Sequence, residues 1–390
     1  MTMGHAADFD AITIDRLREI GGLKWSTFPD AIGAFVAEMD FGVAPAIADA
    51  LRANLDDGLF GYLPRWTSER MSQACATWQR DKHGWDVSPD RIHPIADVIK
   101  GLEAALEHFS TPGSKVILPT PAYMPFLSVP RALGREIIET PLLVDGDRYA
   151  LDLDAIDAAF RAGGEVLILC NPYNPVGRVF TRDELAAVCE VVARHGGRVF
   201  SDEIHAPMVY PGARHVPYAS ISREAAAHTI TAASASKAWN LPGLKCAQLI
   251  ISNDADAQVW ERVGFMAAHG ASNPGVIANT AAYAAGGAWL DEVVAYNDAN
   301  RHALAELLAD RIPGIRYAPP EGTYIAWLDC RELGLGESPA QFFREEAGVA
   351  LTDGSACGAP GAGFVRLVFA TPRPILDEIV DRMATALRRR

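Results

Sequence analysis

The sequence predicts an α/β fold, in which a large domain with a mostly parallel central sheet flanked by helices is followed by a smaller α+β domain. Three observations carry this. From Lys115 onward, short apolar runs alternate with amphipathic stretches, as expected of buried strands joined by crossover helices. Beyond about residue 285 the alternation gives way to a long helical period, two strand-like segments and a closing helix. No internal repeat or low-complexity stretch interrupts the chain, and its glycines and prolines fall at turns.

Taken in order, residues 1–45 read as an arm that also joins the small domain, because Trp25, Phe28, Pro29, Gly33 and Pro45 break any sustained period. Residues 46–284 form the large domain. It opens on the helical spacing of Ile47, Ala50, Leu51 and Leu55. Its predicted strands are 116–118, 165–170, 198–201, 229–232 and 248–251, with a helix over 182–195 among the connections. Residues 285–390 form the small domain, with a helix over 291–310, strands within 317–329 and 363–369, and a helix over 374–389. The site is expected in the crevice at the strand ends.

Composition narrows the function. The 390 residues are 49% hydrophobic and 22% charged, which describes a globular chain with a large core. Thirty-five basic against forty-nine acidic side chains leave a net charge of −14. Nucleic acid and anionic membranes are therefore not expected partners, and any anionic ligand needs a local site. No apolar run reaches the length of a membrane span. The six cysteines are widely spaced, which favours free thiols in a reducing cytoplasm. The ten histidines form no metal-binding pattern, so no catalytic metal is expected.

The richest segment is Ser234-Ala-Ser236-Lys237-Ala-Trp239-Asn-Leu-Pro-Gly243-Leu-Lys245. Two hydroxyls and a cation eight positions beyond Lys237 suit a phosphate held beside a reactive amine. Asn171-Pro-Tyr-Asn174-Pro-Val-Gly177 follows an apolar run, so Asn174 presents an amide at the sheet edge, and its Asn-Pro bonds are places to look for a cis peptide. Asp202 ends another run, where a carboxylate suits a protonated ring nitrogen.

With these segments, Val36-Ala-Glu-Met-Asp40-Phe41, Gly61-Tyr62, Pro119 to Phe126 and Phe364-Val-Arg366 to Arg373 occur in one order along nearly the whole chain. The chain resembles the fold-type I pyridoxal-phosphate enzymes of the class I/II aminotransferase superfamily, and within them the MalY/PatB-type cystathionine β-lyases, or C-S lyases. The resemblance implies pyridoxal 5'-phosphate as cofactor. It makes Lys237 the Schiff-base lysine, Asp202 the partner of the pyridine nitrogen and Asn174 the donor to the ring's phenolic oxygen. Tyr123 matches the aromatic stacked on the ring. Ser234, Ser236, Lys245 and the amides of Val98 and Ile99 match the phosphate cradle, the last two by opening a helix. Tyr62 matches a tyrosine that reaches the neighbouring subunit's phosphate, which implies a homodimer with shared sites. Arg366 matches the arginine that clasps the carboxylate of a small amino-acid substrate.

Glu38, Tyr173 and Val368 depart from the family's more frequent residues, and Asp97 and Lys100 set charges beside the start of the phosphate helix. His205 either tunes the ring through Asp202 or is a helix-start histidine bound to backbone. Trp239 either walls the substrate pocket or packs in the core. The activity implied is elimination of a thiol from the β-carbon of cystathionine or another cysteine S-conjugate, giving pyruvate and ammonia. An aminotransferase uses the same residues, and a regulatory protein acting through protein contacts is the alternative of another class.

Overall fold

The computed structural model describes residues 5–336 and 338–390; the first four residues of the arm and Glu337 lie outside them. Its centre is a seven-stranded sheet of β1 (Ile92–Ile95), β2 (Lys115–Thr120), β3 (Ile137–Pro141), β4 (Gly164–Cys170), β5 (Arg198–Asp202), β6 (Thr229–Ala233) and β7 (Ala247–Ile251). The spatial order is β1-β7-β6-β5-β4-β2-β3. Pairings from β6 through β5, β4 and β2 to β3 are parallel, whereas β7 runs antiparallel to both its neighbours. The five predicted strands are all present, within a residue or two at their ends. Two members of the sheet went unpredicted: β1 is four residues long and contains a proline, and β3 has only two apolar residues before Glu139, Thr140 and a closing proline.

Val166 to Cys170, Val199 to Asp202 and all of β6 and β7 are buried, as expected of strands covered on both faces. The helix Arg182–Arg194 starts on a capping box, in which the Thr181 hydroxyl accepts from the Glu184 amide and the Glu184 carboxylate accepts from the Thr181 amide. The later helices, Gly287–Arg311 and Arg373–Arg388, lie close to their predicted bounds. The strand expected within 317–329 is confined to Ile325–Asp329, which pairs antiparallel with Phe364–Val368.

The first forty-five residues are less irregular than predicted. They contain helices at His5–Asp10, Ile14–Ile20 and Leu23–Ser26. Ile32–Gly33 then pairs in parallel with Val349–Ala350. One apolar cluster includes Ile32, Met39, Trp78, Trp239, Leu290, Val365 and Met383, so the beginning, middle and end of the chain share a core. No helix among the described residues is long and apolar enough to cross a membrane. All six cysteines are free and buried.

Candidate active site

Because β2, β4, β5 and β6 are parallel, their carboxyl ends share one edge of the sheet, and the segments leaving that edge meet. Tyr123 follows β2, Asn174 follows β4, Asp202 ends β5, and Ser236 and Lys237 follow β6. Cys170 stands opposite Asp202, and the Asn171 amide donates to the Asp202 carbonyl, which sets the depth of the asparagine loop. That loop has cis bonds at Asn171–Pro172 and Asn174–Pro175 and closes on Gly177, whose φ of 73° and contact with Pro320 leave no room for a Cβ.

Tyr123, Asn174, Asp202, Ser236 and Lys237 line a cavity of about 720 Å³ together with Asp97, Val98, Ile99, His205, Lys245 and Arg366. Lys237 Nζ donates to the Ala37 carbonyl at 2.9 Å, and the Tyr324 hydroxyl donates to the same oxygen at 2.9 Å. The segment carrying Ala37 is held over the lysine by Asn240, which accepts from the Met39 amide and donates to the Met39 carbonyl. Burial lowers Lys237 to about 8, with the Arg366 charge adding to the effect and Glu38 and Asp202 opposing it. Burial likewise pushes Asp202 up to about 7, although its Oδ1 accepts from the Ile204 amide.

Arg366 is 2% exposed. Its Nη1 donates to Asn174 Oδ1 at 3.3 Å and its Nη2 to the Phe35 carbonyl at 3.0 Å, while its buried Nε has no partner. A guanidinium fixed on one side with an unsatisfied N–H is a preformed anion receptor. At the other group of polar residues, Asp97 caps the helix Val98–His108 by accepting from the Lys100 amide. The Val98 and Ile99 amides lie at that helix start, beside Ser236 and Lys245. Lys245 Nζ meanwhile contacts Asp97 Oδ2 at 2.9 Å. An amine, a buried carboxylate, an amide donor and a helix amino terminus with a hydroxyl and a lysine form a donor set that fits pyridoxal 5'-phosphate.

Several expectations need correction. Trp239 does not wall the cavity; it is fully buried, donates from its indole N–H to the Gly286 carbonyl and packs edge-on against Trp78 and Tyr283. Ser234 does not line the cavity either, because its hydroxyl donates to the Cys246 carbonyl and accepts from the Ser236 amide, placing it behind Ser236. His205 follows no helix start. It lies in a turn, with Nδ1 buried and unpartnered, and burial together with Lys237 and Arg366 lowers it to about 3, so it is neutral. Tyr62, whose expected place is at a neighbouring subunit's site, needs no such correction: it is 93% exposed and apart from this chain's own cavity.

Glu38, Tyr173 and Val368 are also absent from the lining, and the Tyr173 hydroxyl braces the Pro119 carbonyl. Sequence reading missed the carbonyls of Ala37 and Phe35, which carry no side-chain signal, and Tyr324 and Thr352, which sit in no recognisable motif.

The cavity at the parallel strand ends, with a buried lysine and a helix amino terminus, defines a pyridoxal-phosphate enzyme of fold type I. The family model for aminotransferase class I and II matches residues 33–383, and the chain belongs to that family. It is 38% identical to a cystathionine beta-lyase of Corynebacterium glutamicum, over 96% of this chain and 99% of that protein. It is 34% identical to the cystathionine beta-lyase PatB of Bacillus subtilis, over 92% and 93%. Among solved structures, cystalysin of Treponema denticola, described as containing a pyridoxal 5'-phosphate cofactor, superposes with a TM-score of 0.91 at 29% identity, over 98% of this chain and 99% of that one.

Proposed function

We propose that this chain is a pyridoxal 5'-phosphate-dependent C-S β-lyase that cleaves L-cystathionine or related cysteine S-conjugates to a thiol, pyruvate and ammonia. The observation that carries the reading is the convergence of Lys237, Asp202 and Arg366 on one cavity, in a chain matched over 92–96% of its length by relatives named for that reaction.

Lys237, Asp202, Asn174, Tyr123, Ser236, Lys245 and the amides of Val98 and Ile99 would hold the cofactor. When bound, pyridoxal 5'-phosphate supplies an aldehyde that takes up the substrate amine and a ring that withdraws the α-carbon electron pair. Arg366 binds the substrate carboxylate and orients the α-carbon, its own plane already fixed by Asn174 and the Phe35 carbonyl. Lys237, lowered to about 8, is neutral often enough near physiological pH for Nζ to accept the α-proton. The Asp202 carboxylate holds a proton on the ring nitrogen. Neutral His205 adds no further positive charge beside Lys237 and Arg366. A thiol of pKa near ~8.5 makes its thiolate a competent leaving group from the β-carbon. Water then completes the balance, one molecule consumed for each thiol, pyruvate and ammonium released.

The proposed setting is a cytoplasmic homodimer with shared sites. Its support is an exposed groove that Phe60, Tyr62 and Phe265 line together, from which Tyr62 would reach the partner's phosphate. Particle mass in solution tests the dimer. The reaction is tested by supplying L-cystathionine to the cofactor-loaded protein without any oxo acid. Sustained, equal release of pyruvate and free thiol supports the lyase. Activity that requires an oxo-acid acceptor moves the protein to the aminotransferases, and no activity under either condition favours a regulatory role.

A further inference from the structure

The charged side chains lining the cavity are Asp97, Asp202, Lys237, Lys245 and Arg366, with neutral His205 beside them. The lyase reading commits Asp202, Lys237, Lys245 and Arg366 to cofactor or α-carboxylate, and Asp97 is taken up in capping the helix Val98–His108 and in its contact with Lys245. What remains for the rest of the substrate lies beside Arg366. The Phe35 carbonyl accepts from Arg366, and the Thr352 hydroxyl donates to the same carbonyl at 2.9 Å. The Phe35 ring meets Phe28 edge-on at 5.3 Å. Val36 and Leu351, the chain neighbours of Phe35 and Thr352, line the same cavity, and so does Met124. Among the described residues, no charged side chain on this part of the lining is free of an assigned task.

We propose that Phe28, Phe35, Val36, Met124 and Leu351 form the recess for the sulfur substituent, and that it selects cysteine conjugates of apolar thiols over cystathionine. The inference rests on the lyase reading and names its substrate class. The substituent of cystathionine ends in an ammonium and a carboxylate. Inside this recess, where the polar side chains are the uncharged Thr27 and Thr352, both would lose water without gaining an opposite charge, whereas an alkyl or aryl group would bury apolar surface against two aromatic rings. The cation nearby is Arg344, which lies outside the lining over the Phe28 ring at 5.1 Å, with Glu345 at 3.6 Å. Its engagement with a distal carboxylate is the opposing possibility.

Two amino acids of equal backbone length decide between them. L-2-aminooctanoate and 2,7-diaminooctanedioate copy S-butylcysteine and cystathionine with methylene in place of sulfur, so neither can eliminate a thiol. Their dissociation constants are measured on the holoenzyme by competition. The expected result is at least roughly ten-fold tighter binding of 2-aminooctanoate, the scale on which apolar pockets discriminate, with Phe28→Ala narrowing the gap and Arg344→Gln leaving it unchanged. Equal affinities, or tighter binding of the diacid that Arg344→Gln weakens, overturn the proposal. Should Phe28→Ala misfold, the unmodified enzyme alone decides. Turnover of S-butyl-L-cysteine against L-cystathionine separates the two claims. If neither releases pyruvate, the lyase reading fails while the binding order still judges the recess.

Discussion

Replacing Lys237 with methionine removes a desolvated amine with little other disturbance, because the Ala37 carbonyl that loses its Nζ donor keeps the Tyr324 hydroxyl. Lys237 titrates at about 8 in the fold and at ~10.4 in an unfolded chain. Below about pH 8 the amine is protonated in both states, and the fold bears the full penalty of burying the charge. Between about 8 and ~10.4 the folded amine has lost its proton while the unfolded one has not, so stability rises with pH. Above ~10.4 the penalty is gone. The difference in pKa corresponds to an upper bound of ~3 kcal/mol at ~1.4 kcal/mol per unit. Solvent in the open cavity screens it, leaving ~1–3 kcal/mol. Urea unfolding of the cofactor-free protein near pH 7 and near pH 10, wild type beside Lys237→Met, measures it. The variant is expected to hold an advantage near pH 7 that shrinks by this amount near pH 10, whereas any packing gain from methionine stays constant. A stability difference that does not change with pH would refute the desolvation of Lys237 and its fitness as a base.

Three further outcomes follow from the geometry. Asp202→Asn removes a carboxylate raised by burial to about 7; its penalty builds as pH rises from ~4 to about 7, so near pH 8 the cofactor-free variant is expected to gain ~1–4 kcal/mol in urea unfolding while turnover falls by roughly 100-fold or more. Arg366→Lys keeps the charge but loses the planar fork, worth ~1.5–3 kcal/mol, and kcat/KM for any amino-acid substrate is expected to drop by roughly 10- to 150-fold. Trp239→Phe loses the indole bond to Gly286, so unfolding should show ~1–3 kcal/mol of destabilisation with KM unchanged; a raised KM would restore Trp239 to the pocket.

The sequence by itself determined the strands that make up the parallel centre of the sheet, because strands buried on both faces must be apolar throughout and their connections must break that pattern. It also made Lys237, Asp202, Asn174 and Arg366 legible, since each carries its chemistry in a side chain within a short, ordered motif. Tertiary structure decided what lies between these points. Local patterning does not show that β7 runs antiparallel, or that β1 and β3 complete the sheet, because such pairings depend on partners far away in the chain. Trp239 and Ser234 stand in the same motif as Lys237, yet one faces the core and the other a neighbouring carbonyl. Which way a side chain points there is fixed by the packing of Trp78, Tyr283 and Cys246, not by its position in the motif. The carbonyls of Ala37 and Phe35, which position Lys237 and Arg366, are further still from view: every residue carries that group, and only the folded chain selects the two that matter.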